Sequence, residues 1–96
     1  MTITELVRLA YATAKAKGFW RTNQTTAGRL MHAVSELGEA YEADRKGDSA
    51  NFAEELADTI IIIADLAGGL GIDLERAITD KMAINEGRGM LHGKQY

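Results

Sequence analysis

The sequence predicts an all-α protein, an antiparallel bundle of about four helices that assembles as an oligomer. The 96 residues include no proline, and glycines cluster where the apolar periodicity breaks. Periodic apolar segments without proline favour helices, and glycine favours the turns between them. We expect a single domain over residues 1–96. A helical domain this short buries a modest fraction of its surface alone, which favours self-association.

The first helix is predicted over residues 4–17. Thr2 and Glu5 have the spacing of a capping box, and Gly18 follows as a stop signal. A polar stretch at residues 21–26 then leads into the second helix. Apolar stripes mark one face of each helix, Leu6, Leu9, Ala10 and Ala14 on the first and Leu30, Val34, Leu37 and Tyr41 on the second.

A short turn at residues 46–48 ends the second helix and predicts an antiparallel hairpin with the third. Asp48, Ser49 and Asn51 are residue types that begin helices, and Asn51 and Glu54 have capping-box spacing. We expect the core face of the third helix to comprise Phe52, Leu56, Ile63 and Leu70.

The third helix is predicted to end at the glycines at positions 68, 69 and 71. The fourth then extends from Asp73, a natural N-cap, to about Gly87, with a loose tail around Gly89 and Gly93. Because the third helix is apolar on nearly every side, we expect it to be buried both by its own chain and by a partner, in a dimer at least.

Composition argues against several functional classes. The net charge is -3 and both signs are mixed along the chain, which leaves no basic patch for nucleic acid. Charged residues interrupt every apolar stretch, so neither a membrane span nor a signal peptide is expected, and a cytoplasmic location follows. Without cysteine, a metal ion would be held by oxygen ligands or by His32 and His92.

Two pairs of carboxylates carry the main functional signal. Glu36 and Glu39 lie three residues apart in the second helix, and Glu55 and Asp58 lie three apart in the third. Each pair projects from one helix face, so antiparallel helices can turn both pairs toward one cavity. Four crowded carboxylates repel unless hard divalent cations lie between them, which favours Mg²⁺. The alternative is that each pair forms a solvated helix face.

Polar residues replace apolar ones along the fourth helix. Lys81, Asn85 and Arg88 continue the stripe that Ala77 and Ile78 begin. One interpretation is a helix end that emerges into solvent, where basic residues suit the helix dipole. The other is a cationic rim beside the carboxylates, which would bind the phosphates of a ligand.

These residues occur within a longer resemblance over residues 30–88. The segments LMHAVSELGEAYEADRKGD and EELADTIIIIADLAGGLGIDLERAITDKMAINEGR resemble the MazG-like, all-α nucleoside triphosphate pyrophosphatases. The family's pattern is a glutamate pair at spacing three, a glutamate and aspartate at the same spacing, and a downstream lysine and asparagine. Six residues match it, Glu36, Glu39, Glu55, Asp58, Lys81 and Asn85, and Arg88 is a looser transfer.

The resemblance implies hydrolysis of a (d)NTP to the monophosphate and pyrophosphate, with Mg²⁺, or Mn²⁺ as its substitute, as the cofactor. The four carboxylates would hold the metal and carry catalysis. Glu39 is our choice for the base that orients water, and the sequence does not separate it from Glu36. Lys81, Asn85 and Arg88 would bind the phosphates. The resemblance also implies a role in nucleotide-pool house-cleaning and an assembly that is a homodimer or a homotetramer.

Recognition of the base has to come from other residues. Trp20 could stack on a nucleobase, or it could cover the small core. His32, one turn before Glu36, could contact the base or sugar, or it could pair with Glu36. We expect Asp65, two turns after Asp58, to face solvent or a subunit boundary.

Two other functions remain open at this stage. The first is a phosphoribosyl-ATP pyrophosphatase of the same superfamily. A non-enzymatic helical interaction module would use the acidic stripe only for assembly, and magnesium binding distinguishes it from both enzymes.

Overall fold

Four α-helices and no strand occur among the described residues. The computed structural model describes residues 1–88, so the predicted loose tail and His92 lie outside the described residues. The predicted all-helical class and the four helices are confirmed within that range. The helices are α1 (Ile3–Ala16), α2 (Thr26–Arg45), α3 (Ser49–Leu70) and α4 (Leu74–Glu86), and a short 3₁₀ turn, Phe19–Arg21, follows α1.

A side-chain cap begins each of the four helices. The Thr2 hydroxyl accepts from the Glu5 N–H at 3.0 Å, and the Glu5 carboxylate accepts from the Thr2 N–H at 2.7 Å, as the predicted capping box requires. Asp73 caps α4, as predicted. The capping box predicted at Asn51 is wrong, because Asp48 caps α3 and Asn51 lies inside its first turn.

Alanines form the buried core of the single chain, and the prediction that larger side chains form it is wrong. Side chains of this size let helices approach closely, and both α2 and α1 pack against α3. The buried apolar residues are Ala10, Ala14, Ala33, Ala40, Ala43, Ala64 and Ala67. The larger predicted core residues Leu30, Val34, Leu37, Tyr41, Leu56, Ile63 and Leu70 keep 39% to 63% of their surface exposed.

Glycines at the end of α3 let α1 and its following turn pack against that helix. A side chain at Gly68 would meet the Tyr11 side chain, and one at Gly69 would meet the Trp20 ring. The fourth helix packs mainly on α1, where the Thr4 N–H donates to the Glu75 carboxylate at 3.0 Å. Within residues 1–88, no helix has both the length and the hydropathy needed to cross a bilayer.

Candidate functional site

Three carboxylates meet on the facing surfaces of α2 and α3. Glu36 and Glu39 come from α2 and Glu55 comes from α3, and one oxygen of each lies within 4.8 Å of an oxygen of the other two. The hairpin positions them, because each pair faces across a contact that runs along both helices. The structure therefore brings three of the four predicted carboxylates together, and Asp58 lies outside this group but close enough for its charge to raise the pKa of Glu39 and Glu55.

The electrostatics show how crowded this group is. A hydrogen bond with Glu36 is the main cause that raises the pKa of Glu55 to about 7, followed by burial and by the charges of Glu39, Glu36 and Asp58. Glu36 also raises the pKa of Glu39, first through a hydrogen bond and then through its charge. Crowded carboxylates favour the uptake of positive charge, which either a proton or a cation can supply.

The donor set fits a hard divalent cation. Glu55 Oε1 is buried and has no hydrogen-bond partner among the described residues. An unsatisfied buried acceptor is rare in native proteins and calls for a cation, a water or a ligand donor. Three convergent carboxylates supply the oxygen ligands that Mg²⁺ and Mn²⁺ bind. The cluster could therefore bind a metal ion.

His32 lies at the edge of the carboxylate cluster. Its Nε2 is 3.5 Å from Glu36 Oε1, one helical turn away, and its side chain remains about half exposed. The predicted pairing of His32 with Glu36 is therefore present. His32 also lines a cavity, so it can pair with Glu36 and still contact a ligand in that cavity.

The basic and amide residues of α4 lie on a different part of the single chain. This helix packs mainly against α1, and every group that shifts the pKa of Glu39 or Glu55 belongs to α2 or α3. Lys81 is exposed, whereas Asn85 is half-buried with an orphaned acceptor, Oδ1. The Arg88 N–H donates to the Asn85 carbonyl at 3.1 Å. Within residues 1–88, neither Lys81 nor Asn85 is among the groups that shift the pKa of Glu39 or Glu55.

Three side chains, those of Asp65, Arg29 and Tyr11, contact the indole of Trp20. Its Nε1–H donates to Asp65 Oδ1 at 2.8 Å, and the Arg29 guanidinium lies 3.6 Å from its ring centroid. The Tyr11 ring meets it edge-on at 5.5 Å. Asp65 does not face bulk solvent, because the indole of Trp20 bonds it in a part-buried position, and its place at a subunit boundary stays a prediction.

A cavity of about 480 Å³ lies between α1, α2 and α3, next to the carboxylate cluster. Its walls are mainly aliphatic, with His32, Arg29 and Asp65 among the polar residues. Sequence reasoning missed Arg29, which is only 8% exposed. A signal was present, since Arg29 lies four residues before Ala33 and so extends the alanine stripe of α2.

Comparison with known proteins finds one informative relative. A dATP/dGTP diphosphohydrolase of cyanophage S-2L is 39% identical over 61 residues, which is 64% of this chain and 54% of the relative. The chain thus spans about half the length of the curated relative that it matches. No protein-family model matches the sequence. No solved structure matches it significantly.

Proposed function

We propose that this protein is a magnesium-dependent nucleoside triphosphate pyrophosphohydrolase, which converts a (d)NTP to a (d)NMP and pyrophosphate. The observation that carries the proposal is the convergence of Glu36, Glu39 and Glu55 on one point between two helices. A relative described as a dATP/dGTP diphosphohydrolase supports a nucleotide substrate. The cellular role that we propose is removal of unwanted nucleotides from the pool.

The four carboxylates, Glu36, Glu39, Glu55 and Asp58, would hold Mg²⁺ or Mn²⁺. The bound ion would supply Lewis-acid polarisation of the phosphoryl oxygens. Glu55 has to lose its proton for this role, and a raised pKa near 7 places that loss close to neutral pH. A cation would also satisfy the buried Glu55 Oε1.

Glu39 is the residue that we propose as the base. Its carboxylate is exposed, so it can reach a water molecule from the solvent side of the cluster. Neighbouring Glu36 raises the pKa of Glu39 and so makes it a better proton acceptor. Water would attack the α-phosphorus, the bond from that phosphorus to the bridging oxygen would break, and pyrophosphate would leave while Glu39 accepts the water proton.

The phosphates would be bound by Lys81 and Asn85 of α4 and by Arg88, which follows the end of that helix. Because α4 packs mainly on α1 of its own chain, we propose that a second copy brings this helix to the carboxylates. A homodimer is the minimum assembly and a homotetramer contains the same contact.

The surface of the chain supports such an assembly. Its accessible surface of 7017 Å² exceeds the value of about 5,400 Å² expected for a monomer of this length. An excess of about 1,600 Å² per chain is comparable with what each partner buries in an obligate dimer. The exposed apolar stripe of α2, Leu30, Val34, Leu37 and Tyr41, is the surface that a second copy would cover.

Trp20 and His32 are the residues proposed for the base side of the site. His32 connects the carboxylate cluster to the cavity and is placed to contact the sugar or base. One face of the Trp20 ring is already covered by Arg29, so direct stacking on a base would use its other face. We propose that Trp20 also acts by positioning the groups around it.

The experiment is a matched pair of neutral substitutions on α3. Glu55→Gln keeps the shape of the side chain but removes its charge, and we expect it to abolish Mg²⁺-dependent release of pyrophosphate. Glu54→Gln removes the charge of the adjacent exposed glutamate and should leave activity near the native level. Circular dichroism checks that both variants are folded.

Calorimetry with Mg²⁺ separates the enzyme from an interaction module. The native protein and Glu54→Gln should release or absorb heat on titration, and Glu55→Gln should not. If the native protein shows neither heat nor a rise in melting temperature, the metal site and the enzymatic function are both refuted. Hydrolysis of phosphoribosyl-ATP but not of dNTPs would replace the proposed substrate.

A further inference from the structure

Arg29, which is buried, and Asp65, which is half-buried, line the same cavity and both contact the indole of Trp20. Arg29 covers the ring face of Trp20, and Asp65 accepts from the ring edge. Both residues line the cavity of about 480 Å³, whose walls are otherwise mainly apolar. Ligand pockets have this composition, in which few fixed polar groups orient the ligand within an apolar shell.

The burial of the Arg29 guanidinium needs a physical explanation. Only 8% of the residue is exposed, and one hydrogen bond, from Nη2 to the Phe19 carbonyl at 3.1 Å, holds its guanidinium against the indole. No ion pair to Arg29 occurs in the part of the chain that the structure describes. A guanidinium has five N–H donors, and burying a charge without a partner is costly. Donors in the cavity wall would bind acceptor atoms of a ligand.

Asp65 supplies the opposite chemistry. One of its oxygens, Oδ1, accepts from Trp20 at 2.8 Å, which fixes the carboxylate and leaves Oδ2 as an acceptor. An ionised carboxylate can only accept hydrogen bonds. A ligand held by both residues must therefore present a donor beside an acceptor, as the edge of a nucleobase does.

The cavity lies where the base of a bound nucleotide would be. His32 belongs to its wall, and His32 Nε2 is 3.5 Å from Glu36 Oε1 in the carboxylate cluster. A triphosphate held at the cluster would extend its nucleoside past His32 into this cavity. Pockets for such ligands typically measure about 300–1,000 Å³, so the volume is sufficient.

We propose that Arg29 and Asp65 determine base specificity, with Asp65 accepting from an exocyclic amino group and Arg29 donating to the neighbouring ring nitrogen or carbonyl oxygen. The substrate class is then nucleotides with amino-bearing bases, namely guanine, adenine and cytosine. Deamination replaces the amino group with a carbonyl oxygen, and this acceptor would face the acceptor-only carboxylate of Asp65, which disfavours deaminated bases at this position. This inference rests on the proposed function for the placement of the phosphates.

The test measures binding of deoxynucleosides without phosphates and without metal, so it is independent of catalysis. Trp20 is the chain's single tryptophan and contacts both proposed residues, so its emission reports on the cavity. Equilibrium dialysis with labelled nucleosides provides a second readout. We expect deoxyguanosine to bind about tenfold more tightly than deoxyinosine, and deoxycytidine about tenfold more tightly than deoxyuridine, for one hydrogen bond to a charged group.

Asp65→Asn is the decisive variant. The amide keeps a carbonyl oxygen for Trp20 but replaces Oδ2 with an N–H₂ donor, so both preferences should disappear. The exposed Asp44→Asn is the matched control and should bind like the native protein. Arg29→Lys keeps the charge without the planar fork and should weaken all four nucleosides together.

The outcomes separate this inference from the proposed function. If the folded Asp65→Asn protein still prefers deoxyguanosine over deoxyinosine and deoxycytidine over deoxyuridine, Asp65 does not read the base. This conclusion holds even when the native enzyme releases pyrophosphate. If the native protein prefers amino-bearing nucleosides but releases no pyrophosphate, the base-reading role of the cavity is supported and the proposed enzymatic function is refuted. If no nucleoside binds and Asp65→Asn changes the mass in sedimentation, a second copy covers the cavity and the inference fails.

Discussion

The packing of α1 on α3 predicts opposite effects for two Gly→Ala substitutions. At Gly68, an added Cβ would lie 2.5 Å from Tyr11 Cβ and 3.3 Å from the Val7 carbonyl oxygen. Carbon atoms normally approach to about 3.5–4.0 Å, so α1 would have to move by about 1 Å. Tyr11 Cβ is attached directly to the backbone, so a rotamer change cannot relieve this clash. At Gly38 in α2, an added Cβ meets nothing within 4 Å.

The magnitudes follow from two competing effects. Both substitutions gain about 1 kcal/mol of helix propensity, because both glycines are inside helices. Overpacking costs about 1–3 kcal/mol, and a shift of a whole helix belongs at the upper end of that range. We therefore expect Gly68→Ala to lose about 2 kcal/mol and Gly38→Ala to gain about 1 kcal/mol.

Thermal unfolding followed by circular dichroism measures both variants at one protein concentration. For a chain of this length, the melting temperature should fall by about 8–16 °C for Gly68→Ala and rise by about 4–8 °C for Gly38→Ala. Since the propensity gain is common to both, their difference isolates the clash. A Gly68→Ala protein as stable as Gly38→Ala would refute the close α1–α3 contact.

Three further predictions concern the site and its assembly. Because the pKa of Glu55 rises from 4.5 to about 7 on folding, the native state binds more protons than the unfolded state between those pH values. The free energy of unfolding of the metal-free protein should therefore fall as pH rises through that window. Melting curves at several pH values should show a smaller fall for Glu55→Gln. Trp20→Phe removes the donor to Asp65 and should cost about 1–3 kcal/mol in urea unfolding, whereas an unchanged midpoint would exclude a stabilising bond. Val34→Glu places a charge on the exposed stripe of α2 and should lower the mass measured by light scattering; an unchanged oligomer would exclude that surface from the interface.

Local chemistry made several elements predictable from the sequence. Capping depends on residues within one turn, so Thr2 with Glu5 and the N-cap Asp73 are readable directly. Three-residue spacing places Glu36 and Glu39 on one face, and the short turn predicts that this face meets α3. The all-α class and the carboxylate pairs were therefore determined by the sequence alone.

Only the tertiary structure decided which helix faces meet and what lies between them. The core consists of alanines because the helices approach closely, which exposes larger side chains such as Val34 and Leu37. Trp20 and Asp65 are 45 residues apart, and no local pattern indicates that they bond or that Arg29 covers the indole. Such contacts depend on how α1, α2 and α3 are arranged in space, and helical periodicity assigns residues to faces without pairing the faces.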